Sequence, residues 1–149
     1  MSRRSRWTRP ATSWWRMFST DPLDVRVSAC RLQDACHGPA VQAGWWTDLA
    51  TGADLRGNPP RRNVGEMLCL IHSEISEAME GARKGLQDDK LPHRPMLEVE
   101  LADAVIRIFD MAGGLHLDLA GAIVEKLAYN ASRADHKPEH RAQPGGKAW

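Results

Sequence analysis

Two pairs of carboxylates stand out by their spacing: Glu74-Ile75-Ser76-Glu77 and Glu100-Leu101-Ala102-Asp103. In a helix, residues i and i+3 lie one turn apart on one face, so each pair presents its acids together. Four carboxylates gathered by two facing helices repel one another, and a hard divalent cation with oxygen ligands relieves that repulsion. Neither pair follows the Glu-x-x-His pattern of di-iron carboxylate bundles. An all-oxygen donor set points to Mg²⁺, with Mn²⁺ as the alternative, and away from zinc or iron. A third group, Lys126, Asn130 and Arg133, is spaced four and then three residues apart and forms a basic and polar stripe suited to phosphate oxygens.

A lone acidic pair is common on a solvated helix face. Here both pairs border the apolar arcs of consecutive helices, which solubility alone does not explain. The arc of the first helix is Val64, Met67, Leu68, Ile71, Ile75, Ala78, Met79 and Ala82. Asn63 with Glu66 marks its start and Gly85 its end. The arc of the second is Leu97, Leu101, Ala104, Val105, Ile108 and Ala112, between Pro95 and a stop at Gly113-Gly114. Antiparallel packing through these arcs turns both acid pairs to one cleft.

Two further helices complete an all-α, four-helix chain. One begins at Asp21-Pro22, a capping acid before a proline, and is interrupted at Gly38-Pro39 with a short continuation towards Ala43. The other runs from the Asp118 cap to about Arg133. The connection between Gly44-Trp45-Trp46 and Arg61-Arg62 is polar and rich in Gly and Pro. No strand-like alternation and no internal repeat is evident.

The 149 residues suffice for one domain with a real core, and 20 Lys+Arg against 19 Asp+Glu give a net charge of +1. Overall charge thus supplies no case for nucleic acid, and no apolar run reaches membrane-spanning length. The organisation is an Arg/Trp-rich leader over 1–20, a helical domain over 21–134 and a basic tail over 135–149. Cys30, Cys36 and Cys69 show no CxxC spacing. Cys30 and Cys69 fall at apolar-face positions and are expected as buried thiols, in keeping with a reducing, cytoplasmic compartment.

Glu74-x2-Glu77, 22 intervening residues and Glu100-x2-Asp103 resemble the signature of the all-α nucleoside triphosphate pyrophosphohydrolases, the MazG-like superfamily. Leu70–Glu80 is similar to the family's first acidic helix, and Lys126–Arg133 to its Lys/Asn/Arg segment. The tail around Asp135-His136-Lys137 and Gly145-Gly146-Lys147 is similar to tails of small members. The resemblance implies a helical bundle assembled as a homodimer or homotetramer. It also implies hydrolysis of a (d)NTP between the α- and β-phosphates, giving the monophosphate and pyrophosphate. Glu74, Glu77, Glu100 and Asp103 would hold magnesium, while Lys126, Asn130 and Arg133 would meet phosphate. Trp45 and Trp46 stand where similar proteins carry a Gly-aromatic segment; one is expected to stack on the nucleobase, or else to plug the bundle end. The competing expectation is a non-catalytic module that binds a nucleotide or a partner protein.

Overall fold

A computed structural model describes residues 21–145 of the chain, so the leader and Lys147 lie outside the described residues. Four long helices follow one another: α1 (Pro22–Gln42), α2 (Val64–Lys84), α3 (Met96–Gly114) and α4 (Leu119–Ser132). A 3-10 turn (Ala134–His136) and a short α5 (Pro138–Arg141) come last. Among the described residues there is no strand, only two isolated bridges, Thr47 with Asp54 and Gln87 with Pro95. The fold is all-α.

Three helix starts are capped as their sequences suggest. Asp21 accepts from the Leu23 N–H at 2.7 Å, Asn63 from Glu66 at 3.2 Å and Asp118 from Gly121 at 3.0 Å. Each cap is worth about 1 kcal/mol. Gly85 closes α2 with φ 65°, a left-handed conformation that favours glycine.

One expected interruption, at Gly38-Pro39, is absent. α1 runs through Pro39, which lies in its last turn. A proline forfeits one helical hydrogen bond, and so near the end little helix remains to be disturbed. The chain recovers at once, with Ala43 N–H donating to the Pro39 carbonyl at 2.9 Å. α3 stops where expected, with Gly113-Gly114 as its last two residues. These glycines admit neighbours. A Cβ on Gly113 would fall 2.6 Å from the His37 ring, and one on Gly114 would fall 2.1 Å from the Trp46 ring.

α3 is the central element, packed against α2 on one side and α1 on another, with α4 on α1. One apolar cluster joins Ala29 and Cys36 of α1 to Phe109 and Ala120. A second gathers Met67 and Leu115 around Trp46, which is 1% exposed. Trp46 donates its indole N–H to Asp110 Oδ1 at 2.8 Å, and His37 Nδ1 meets the same oxygen at 2.8 Å. Leaving that indole N–H without a partner would cost about 1–3 kcal/mol.

The contact between α2 and α3 is rotated from the expected arcs. On α2 the buried positions are Met67, Glu74, Ala78 and Gly81; on α3, Glu100 and Ala104 are buried with Phe109 and Ala112. Small residues bring the two helices together: a Cβ on Gly81 would sit 2.9 Å from Met96 Cβ. Leu68, Ile75 and Met79 of α2 and Leu97, Leu101 and Val105 of α3 stay 38–65% exposed. Gly81 meets Met96 while Glu74 reaches Arg107, so the pair is antiparallel. Leu68, Ile75 and Met79, like Leu101 and Val105, each follow a buried contact position by one residue, about 100° round the helix. In an antiparallel pair that rotation falls on the same side of both helices.

The cysteines also depart from expectation: Cys36 is buried, whereas Cys30 and Cys69 are exposed, and all three are free. α1 buries Ala29 and Cys36, which leaves Cys30 about 100° off the contact face. Cys69, two residues after Met67, points about 200° away from it. Among the described residues no helix is long and apolar enough to cross a membrane.

Candidate metal centre

The rotation just described carries Glu74 and Glu100 into the α2–α3 contact, where each is 7% exposed. Small neighbours at Ala78, Gly81 and Ala104 make room for them. One carboxylate oxygen from each of Glu74, Glu77 and Glu100 lies within 4.8 Å of the others. Oxygens around a magnesium ion sit about 2.1 Å from it and so at most about 4.2 Å apart. The trio thus lies within a sub-ångström adjustment of the spacing that a magnesium shell requires. The donor set is hard oxygen throughout, and it fits magnesium or manganese.

Electrostatics give the cluster its need for a cation. The Glu100 carboxyl is pushed up to about 7, first by burial and then by the charge of Glu77, with Glu74 and Asp103 adding to it. Asp103 stands outside the tight trio yet belongs to the same field. Burial raises its pKa, Glu74 raises it further, and Arg107 opposes them. Asp88, buried in the α2–α3 connection, adds negative charge near Asp103 while its own Oδ1 accepts from the Lys90 and Leu91 N–H groups.

The cation that answers this charge within the chain is Arg107. Its Nε donates to Glu74 Oε1 at 2.6 Å, across from α3 to α2. Sequence reasoning missed Arg107 and Asp110, although the signal was there. Glu100, Asp103, Arg107 and Asp110 follow one another at steps of three, four and three, a single polar stripe along α3.

Beside the acids opens a cavity of about 520 Å³. α1 lines it with Cys36, Pro39, Ala40 and Ala43; the following connection with Trp45 and Arg62; α2 with Met67 and Leu70; α3 with Asp103, Ile106, Arg107 and Asp110. Its walls are apolar, with two guanidiniums and two carboxylates placed around them. The paired tryptophans part company here. Trp45 is 68% exposed and stands in the cavity wall, whereas Trp46 is enclosed. His37 meets the Trp46 ring edge-on at 5.6 Å and Arg62 lies over it at 5.0 Å, so Trp46 is a structural wedge and not a platform for a base.

α4, which carries the stripe of Lys126, Asn130 and Arg133, packs on α1. Lys126 Nζ lies 4.8 Å above the Tyr129 ring, and Arg133 pairs with Asp135 through Nε–Oδ1 at 2.8 Å. Asn130 Oδ1 is buried without a hydrogen-bond partner. Glu80 is engaged by Arg83 and Lys84.

No family model, curated protein or solved structure matches this chain. The side chains themselves carry the functional argument.

Proposed function

We propose that this chain is a magnesium-dependent nucleotide pyrophosphohydrolase of the MazG-like kind, cleaving a (d)NTP between the α- and β-phosphates to the monophosphate and pyrophosphate. The observation that carries this is the trio Glu74, Glu77 and Glu100, two of them buried, with oxygens within 4.8 Å and one guanidinium against them. Buried carboxylates are expensive unless paired or coordinated to a metal. Glu74, Glu77, Glu100 and Asp103 hold the ion. Magnesium bound there neutralises phosphate charge and lowers the pKa of a water.

The chain's own groups do the rest. A carboxylate oxygen left outside the coordination shell accepts the proton of the attacking water. The apolar cavity walls enclose the nucleobase and exclude solvent, and Trp45 supplies a stacking face. The exposed stripe of Leu68, Ile75 and Met79 with Leu97, Leu101 and Val105 is covered by a second copy, making the protein a homo-oligomer. Lys126, Asn130 and Arg133 then meet phosphate from a neighbouring copy or after a movement of α4. The three free thiols suit a reducing, cytoplasmic compartment.

The test is pyrophosphate release from a panel of canonical and modified nucleotides with Mg²⁺ or Mn²⁺. Glu77→Gln and Asp103→Asn abolish release while the helical circular dichroism is retained. Full turnover in both variants refutes the site. The engagement of Lys126 with the Tyr129 ring and of Arg133 with Asp135 favours one competitor, a binding module without turnover. Calorimetric nucleotide binding with no product over hours identifies it.

A further inference from the structure

Arg107 has two neighbourhoods at once. On one side its Nε donates to Glu74 Oε1 at 2.6 Å, and Glu74 is buried while the Arg107 side chain is 44% exposed. On the other it lines the cavity together with Asp103, Trp45 and Arg62. An arginine carries five N–H donors in a planar fork. Among the described residues its only hydrogen bond is the one to Glu74, which leaves four of the five unspent at the cavity's edge.

We infer that Arg107 is a phosphate-binding residue held in reserve: it is the acids' counter-cation when no divalent ion is bound, and it turns to the substrate's phosphate when the ion takes Glu74. This rests on the magnesium-dependent function proposed above. A guanidinium and a divalent cation on one carboxylate repel each other, so ion binding displaces the more weakly held of the two. The arginine stem is long and half in solvent, and its departure needs no rearrangement of the helices. A phosphoryl group bridging the ion and the cavity offers the paired oxygens that a guanidinium fork binds best. Cation and anion binding are thereby coupled. The ion costs the protein an internal salt bridge, and the phosphate then recovers a partner for the freed arginine.

The alternative is a plain staple between α2 and α3, whose loss changes neither affinity. The full chain is titrated with Mn²⁺ alone, followed by the electron paramagnetic resonance of the free ion. It is then titrated with inorganic pyrophosphate at saturating Mg²⁺, followed by calorimetry. Arg107→Gln binds Mn²⁺ more tightly by about five-fold, the lower end of ligand coupling, and pyrophosphate more weakly by about ten-fold or more. Arg107→Met, which keeps the aliphatic stem, gives the same opposed pair if Gln perturbs folding. A lowered melting temperature with both affinities unchanged identifies the staple and overturns the inference, as does loosening or tightening of both ligands together. Wild-type protein that binds no Mn²⁺ overturns the metal centre itself. Mn²⁺ binding equal in wild type and both variants overturns only the role of Arg107.

Discussion

Removing the charge of Glu100 should stabilise the ion-free protein, although it destroys the site. The carboxyl is held at about 7 against an ordinary 4.5, chiefly by burial and then by Glu77. Between those values the folded chain keeps a proton that the unfolded chain has released. Stability therefore falls as pH rises through that window and stays low above it. Each pH unit of displacement is worth about 1.4 kcal/mol, so the charged carboxylate costs the fold about 3 kcal/mol at pH 8. Glu100→Gln is nearly isosteric and does not ionise. In EDTA, urea unfolding should show the variant equal to wild type near pH 4.5 and about 3 kcal/mol more stable at pH 8. That corresponds to a melting temperature about 10 °C higher for a domain of this size. Magnesium should reverse the order. Wild type gains about 4.1 kcal/mol with the ion at about a thousand times its dissociation constant, more than the deficit of about 3 kcal/mol, and Glu100→Gln gains little. A stability difference that does not change with pH, or a variant less stable than wild type at pH 8 in EDTA, refutes the argument.

Two other expectations concern packing. Gly114→Ala in an ordinary helix would gain about 1 kcal/mol from propensity. Here the new Cβ falls 2.1 Å from the Trp46 ring, and overpacking of that kind should outweigh the gain for a net loss of about 1–2 kcal/mol in urea unfolding. Net stabilisation would show that Trp46 does not occupy that seat. Ile75→Asp with Leu101→Asp places charge on the exposed stripe, and light scattering should find single chains where wild type is at least a dimer. A wild-type protein already monomeric at the same concentration removes the second copy from the proposal.

Much of the helical frame was legible because its signals are local. The caps at Asp21, Asn63 and Asp118 and the stop at Gly85 depend on side chains within a few residues of the helix ends. The acid pairs were legible for the same reason. What failed was long-range. The widest apolar arc is a sound guide to burial only when a helix buries its most apolar side in its own chain, and α2 does not. Its contact with α3 is set by Ala78 and Gly81, whose small size permits the approach, and Glu74 enters with them. Gly113-Gly114 marked the end of α3 correctly, but only the tertiary structure shows His37 and Trp46 pressed against them. Pro39 misled, since its position in the final turn makes its penalty small. Arg107 and Asp110 lay on the same stripe as Glu100 and Asp103, and a search for acids alone passed over them.

Trp45 and Trp46 are adjacent in sequence and have been given separate duties. The second anchors the connection between α1 and α2 to α3 through Asp110, while the first only faces the cavity. Changes at position 45 can therefore alter which ligands the cavity prefers without touching the fold. Position 46 has no such freedom, and the wall in which its neighbour stands would shift with it.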